Sequence, residues 1–144
     1  MVARAADRTY MPMHPLRFLN LVQLDLHFCS VIIFGAFRDE CGNIVLLLQV
    51  GRPPLSVHCH VHSVYIRRHM SECIRTIHMH PESFFTYLRM GSRDPFVLLD
   101  GGFRDEYGNI VLHLDVGWPP VYVYCHVHSV HAHRGGEALC HSSI

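Results

Sequence analysis

The chain has 144 residues, 49% of them apolar and 17% charged, the balance of a globular protein about one ordinary domain long and not of a disordered chain. Twelve Arg and no Lys offset twelve Asp and Glu, so the formal charge is zero and no net field recruits nucleic acid or an anionic membrane. The longest apolar runs, at 31–34 and 44–48, fall far short of the roughly 20 residues that span a bilayer.

Residues 1–7 show no apolar periodicity and read as an N-terminal arm. Neither they nor the residues just after contain the apolar stretch of a secretory signal. A cytoplasmic, reducing setting is therefore the default, with the six Cys as free thiols.

From residue 8 the chain is a tandem duplication. GAFRDECGNIVLLLQVGRPPLSVHCHVHSV at 35–64 returns as GGFRDEYGNIVLHLDVGWPPVYVYCHVHSV at 101–130, identical at 22 of 30 positions with no gap. The units run over 8–74 and 75–140. Each is too small to bury more than a marginal core alone, so the two are expected to pack as one globular domain.

Each unit opens on His-Pro, at 14–15 and 80–81, followed by apolar residues at helical spacing. In the second unit Pro81 suits the first helical position, Glu82 the positive end of the dipole and Gly91 the stop, which predicts a helix over 81–90. In the first unit Val22, Leu24, Leu26 and Phe28 alternate with polar residues. That stretch reads either as a helix running into a strand or as a strand throughout.

A three-stranded meander follows in each unit. Its first strand covers 31–37 and 96–103, with Gly35, Gly101 and Gly102 permitting a bulge. Turns at 40–43 and 106–109 place Gly and Asn where positive φ is needed. Second strands cover 44–50 and 110–116. The Pro pairs at 53–54 and 119–120 cannot donate ladder hydrogen bonds and so belong to loops. Third strands cover 55–64 and 121–130. The fold class is α+β, mostly β: two helix-plus-meander repeats about an approximate two-fold, with the third strands either meeting at the axis or forming edges that recruit another chain.

Substitutions between the units map burial. Ile44, Leu46, Leu48, Val50, Val57, Cys59 and Val61 recur unchanged, while Leu47, Gln49, Ser56 and His58 become His113, Asp115, Tyr122 and Tyr124. The unchanged face points inward, making Cys59 and Cys125 core thiols. The other face is amphipathic and suits contact with a partner.

Fourteen His concentrate the chemistry on the third strands. Side chains at i and i+2 share a strand face, so His58, His60 and His62 form one row and His126 and His128 another. A four-residue loop at 117–120 sets His113 opposite Tyr124 and diagonal to His126, with Asp115 nearby. These six imidazoles are the candidate ligands for a zinc-type divalent metal, with a metal-dependent hydrolase as the corresponding activity. Exposed or hydrogen-bonded strand His is the competing reading.

Other catalytic arrangements are weaker. Ser63 and Ser129 follow His62 and His128, but strand neighbours point to opposite faces and no nucleophile elbow is present. The pairs Asp39-Glu40 and Asp105-Glu106 fit turn chemistry better than an acid/base couple, and Arg38 and Arg104 beside them fit exposed ion pairs. His131-Ala-His133-Arg-Gly-Gly-Glu137 resembles part of the first cupin motif, whose two His and Glu bind metal. No Gly stands six positions before His131 and no second motif is visible, so the stretch reads as a polar tail. Trp118, in a loop, is a packing plug or a partner-binding anchor. The leading functional expectation is a non-enzymatic protein-interaction module that associates with itself or another protein, with divalent-metal binding as the alternative.

Overall fold

The computed structural model describes residues 10–24, 30–90 and 96–133. In chain order these form β1 (Tyr10–Met13), α1 (Pro15–Leu24), β2 (Val31–Arg38), β3 (Ile44–Val50), β4 (Leu55–Met70), β5 (Cys73–Met79), α2 (Pro81–Met90), β6 (Val97–Arg104), β7 (Ile110–Val116) and β8 (Val121–His133). The molecule is mostly β.

Both helices start on the His-Pro dipeptides for a reason beyond proline's fixed φ. The imidazole Nδ1 of His14 accepts from Leu16 N and that of His80 from Glu82 N, each at 3.1 Å. Each His thus caps one of the amide groups that a first turn leaves unpaired. The first helix runs through Leu24, so Val22 and Leu24 are helical and the reading of a strand throughout does not hold. Leu26 and Phe28 lie outside the described residues. Val22 falls one turn beyond Phe18 and Leu19, and the three are buried together.

All strand pairs are antiparallel. The sheet runs β2-β3-β4-β8-β7-β6, with β1 beside β8 and β5 beside β4. It curls until its end strands touch, and an isolated bridge joins Ser30 to Leu98. The third strands are not edges: β4 and β8 pair with each other from Leu55↔Ala132 to Tyr65↔Tyr122, with His60 opposite His126. Each is also paired over most of its other side, by β3 and β5 or by β7 and β1, so neither forms an edge along its shared length.

The inward face is the one that recurs between the two segments. Leu46, Leu48, Val50, Val57 and Cys59, and likewise Leu112, Leu114, Val116, Val123 and Cys125, are fully buried, under Phe18 and Val22 of α1 and Phe84 of α2. The helix α1 lies on β6, β7 and β8, while α2 lies on β3 and β4. Leu19 of α1 comes so near Gly102 that a Cβ there would sit 3.1 Å from Leu19 Cδ1 and 3.2 Å from Leu112 Cδ2, so a side chain here would require both leucines to give way by a few tenths of an ångström.

The expected bulges occur between Ile33 and Gly35 and between Leu99 and Gly101. In the turns, Gly42 and Gly108 take positive φ (85° and 84°) but Asn43 and Asn109 do not. These Asn serve by hydrogen bonding instead. Asp39 Oδ1 accepts from Cys41 N and Asn43 N, and Asp105 Oδ1 accepts from Tyr107 N and Asn109 N, at 2.8–2.9 Å.

Two short strands had no counterpart in the pattern analysis. The first is β1. The second, β5, forms a ribbon with the far end of β4, from Val64↔Met79 to Met70↔Cys73, and runs across the 74/75 division. No helix among the described residues is long and apolar enough to cross a membrane.

Candidate functional site

The outward face of the sheet carries the polar chemistry, and the structure distributes the six candidate imidazoles over three places. Across the β4/β8 seam the His60 and His128 rings lie 5.2 Å apart and the His62 and His126 rings 4.6 Å apart. His58 faces His131 at 6.2 Å. His113 stands away from the seam, on β7. The six therefore do not converge on one point.

Each seam pair is flanked by a turn carboxylate. His60 Nε2 lies 3.6 Å from Asp39 Oδ2, and His126 Nε2 lies 3.8 Å from Asp105 Oδ2. The distances exceed hydrogen-bond length, so these are electrostatic contacts. Burial depresses the His126 pKa first, and neighbouring His62 and His60 depress it further against the pull of Asp105. Burial also depresses His58, reinforced by His131 and His128. Neutral rings are therefore the resting state of both. Asp39 sits below its ordinary value, chiefly through the Asn43 amide. For Asp105 burial pulls upward, but the hydrogen bonds from Asn109 and Tyr107 outweigh it.

The bulge between Val61 and Ser63 overturns the rule that strand neighbours point apart. His62 and Ser63 both line one cleft of about 440 Å³ on the outward face, and His62 Nδ1 lies 3.4 Å from Ser63 Oγ.

A denser cluster surrounds His113. The strand register sets His113 opposite Tyr124, as the loop length predicts, with ring centroids 4.5 Å apart. It also brings Asp100 of β6 and Asp115 of β7 beside the ring. His113 Nδ1 is 3.9 Å from Asp100 Oδ2, and Nε2 is 3.8 Å from Asp115 Oδ1. One donor atom from each of Asp100, His113 and Asp115 lies within 4.8 Å of the others. Asp115 Oδ1 is buried with no hydrogen-bond partner. Burial, then the neighbouring Asp100 carboxylate, pushes the Asp115 pKa up to about 7. His113 is depressed by burial, against the pull of Asp100.

An aromatic wall holds this cluster. Tyr65 stacks on Tyr122 with centroids 5.3 Å apart, and Arg67 lies 4.6 Å over the Tyr122 ring. Tyr65 Oη donates to Tyr124 Oη at 3.2 Å and lies 3.3 Å from His113 Nε2. Burial, then the contact with Tyr124, pushes the Tyr65 pKa up to about 12, so it remains a phenol. Asp100 falls one residue before the recurring segment 101–130 and so carries no mark of the recurrence. The signal was nevertheless present, since its counterpart 66 positions earlier is Phe34, an apolar-to-acid change on the outward face.

The other candidates resolve simply. Asp39 and Asp105 organise their turns, as expected. Arg38 pairs with Glu82 of α2 and not with the adjacent acids. Trp118 is 88% exposed, so it is not a packing plug. The cupin-like stretch falls largely outside the described residues, and nothing places Glu137. Comparison with protein-family models, curated proteins and solved structures finds no match to this chain.

Proposed function

We propose that the protein binds one divalent transition-metal ion through Asp100, His113 and Asp115. The observation that carries this reading is the convergence of three donor atoms within 4.8 Å, one of them a buried carboxylate oxygen without a partner. A buried unpaired oxygen is costly, and a cation between two carboxylates removes both that cost and their mutual repulsion. One imidazole with two carboxylates suits zinc, manganese or ferrous iron better than soft, thiolate-seeking ions. His113 Nε2 faces Asp115 Oδ1 at 3.8 Å and Nδ1 faces Asp100 Oδ2 at 3.9 Å, so either ring nitrogen can serve as the ligand, and the Tyr65 phenol, 3.3 Å from Nε2, is the outer partner that bears on the tautomer. Three protein ligands leave positions for water, the open shell a metal-dependent hydrolase would use.

Elemental analysis of tag-free protein tests the reading. About one metal per chain is expected, lost in Asp115→Asn and in His113→Ala but kept in His60→Ala/His126→Ala. Metal that disappears only in the last variant would transfer the site to the β4/β8 seam, and metal-free wild-type protein reconstituted without uptake would end the proposal.

A second reading, self-association, is favoured by the outward side of the first segment. Ile32 and Phe34 are each 49% exposed beside Leu98 at 41%, where β2 meets β6 at the Ser30↔Leu98 bridge. The occupant proposed is a second copy presenting the same uncharged patch. Light scattering should then give a mass above 16.6 kDa that falls to the monomer in Phe34→Asp; a monomeric wild type at high concentration sinks it.

Both readings rest on a two-unit architecture with an approximate two-fold between β4 and β8. Its support is the register: Val31↔Val50 recurs as Val97↔Val116, Val57↔Val130 recurs as Val64↔Val123, and His60↔His126 maps onto itself.

A further inference from the structure

The cleft beside the seam has walls unlike those of the His113 cluster. Phe103, Tyr107 and Tyr124 supply three aromatic rings, and Val111, Asp105 and Glu106 are among the other lining residues. Phe103 and Tyr124 meet edge to face with centroids 6.3 Å apart. Tyr107 is 82% exposed, a large ring held over the turn with little of its surface covered. The opening of about 440 Å³ falls within the size of ordinary small-molecule sites.

The electrostatics of this cleft have one sign at neutral pH. Asp105 is fixed as an acceptor by Tyr107 N, Asn109 N and Asn109 Nδ2, and those bonds hold its carboxyl below the ordinary value against burial. Glu106 adds a second carboxyl. His126, from β8, is depressed by burial and by His62, so it contributes no charge until acid is added. Arg104 ends β6 beside Gly108 but does not line the cleft. Rings present their negative faces to a cation, so aromatic walls and carboxylates attract the same kind of ligand. A bare metal ion would find too few oxygen donors among three rings. An alkylated ammonium, apolar on its surface and positive at its centre, uses both.

We propose that this cleft binds an organic cation, a quaternary or methylated ammonium group, between Tyr107, Tyr124 and Phe103 with Asp105 and Glu106 as counter-charges. The site belongs to the second segment alone. At the positions of Tyr107 and Tyr124 the first segment has Cys41 and His58, so two of the three rings are missing there. None of the proposed metal ligands lines the cleft, although Tyr124 touches both places, its ring centroid 4.5 Å from that of His113. The ammonium group can be carried by a free small molecule or by a methylated lysine of a peptide.

The test is a titration of the full chain with choline and with its neutral isostere 3,3-dimethylbutan-1-ol, read from the side-chain NMR signals of Tyr107, Tyr124 and His62. Choline should shift these signals saturably, with the isostere at least tenfold weaker. Tyr107→Ala should weaken choline about tenfold without affecting the fold, because the ring is largely uncovered. Glu106→Gln should weaken it by a smaller factor. Affinity should fall between pH 8 and pH 5.5 as His126 takes up a proton beside Asp105. A trimethyllysine peptide that binds more tightly than choline identifies a protein ligand, and one that binds no more tightly identifies a free metabolite. Equal binding of choline and the isostere, or no shift with 50 mM choline, overturns the proposal.

Discussion

The outward faces of the two recurring segments share a backbone and differ in chemistry. Over β6, β7 and β8 the surface holds Asp100, His113, Asp115, Tyr122 and Tyr124. At the corresponding positions over β2, β3 and β4 stand Phe34, Leu47, Gln49, Ser56 and His58. The inward faces barely differ. Packing at interior density penalises any change of volume, whereas a half-exposed position changes at little cost. The two segments thus share a core pattern while their outer surfaces differ, one carrying carboxylates, an imidazole and aromatic rings, the other apolar side chains.

The largest expected effect tests the sameness of the inner faces. Leu46→Ala and Leu112→Ala each remove a fully buried side chain and should each cost about 2–5 kcal/mol in urea unfolding. Equal losses would mark the halves as equivalent in packing; a difference beyond about 2 kcal/mol would show that one half dominates the core.

Next in size is transplantation of the outer chemistry. Phe34→Asp/Leu47→His/Gln49→Asp rebuilds the three ligands on the first segment and should raise metal content from about one to two per chain. The new site should bind about 10–100-fold more weakly, because the counterpart of Tyr65 is His131 and that of Tyr124 is His58, so the phenol pair is absent. Calorimetric titration that shows a single site in this variant would place the determinant elsewhere.

The seam, where the halves meet, should respond to acid. His58 and His126 are depressed below 6.5 in the folded protein, so below that value the unfolded chain binds more protons than the native one. Their contribution to stability is complete above pH 6.5 and is lost as pH falls through the depressed values. The facing groups are His60, His62, His128 and His131, with Asp39 and Asp105 as the carboxylates. Asp115, with a pKa of about 7 in the folded protein, gains stability as pH falls through that value and opposes the seam. In Asp115→Asn the thermal midpoint should therefore drop between pH 7 and 5, and less steeply when His126→Asn is added; an unchanged slope would mean that the seam does not set acid stability.

The smallest effect separates the helices. Glu82 of α2 pairs with Arg38, both about half exposed, while the matching position on α1 is Leu16. Glu82→Gln should cost about 0.2–1 kcal/mol, measured by chemical denaturation in low salt and shrinking in high salt.

What was legible followed from local rules that tertiary structure did not override. The helix α2 was readable from Pro81 and Glu82, and the core face from the positions that recur. The register between His113 and Tyr124 followed from loop length. The helix α1 was ambiguous because Val22 and Leu24 also open an alternating pattern; His14 settles it by capping the first turn, a use of imidazole that composition does not advertise. Strand β5 left no signal because its side chains are mostly exposed, so neither face needs to be apolar. The proposed ligand set was only half visible. Asp115 and His113 share a strand, but Asp100 reaches them from β6 after a bulge between Leu99 and Gly101, and bulge positions are not fixed by alternation.

The pairing of β4 with β8 also has a consequence for how the chain acquires its structure. Some 66 residues separate equivalent points of the two strands, so the centre of the sheet is completed only when the last strand arrives, a non-local event of the slow kind. Until then β4 waits with one side open, and the strand that fits it is nearly its own copy: the recurring segments are identical at His60-Val61-His62-Ser63-Val64 and His126-Val127-His128-Ser129-Val130. Two nascent chains therefore carry mutually complementary edges before either is finished. A fragment ending at Met90 should form an antiparallel dimer through β4, visible as twice its mass by light scattering. The full chain escapes that fate by supplying the second copy itself.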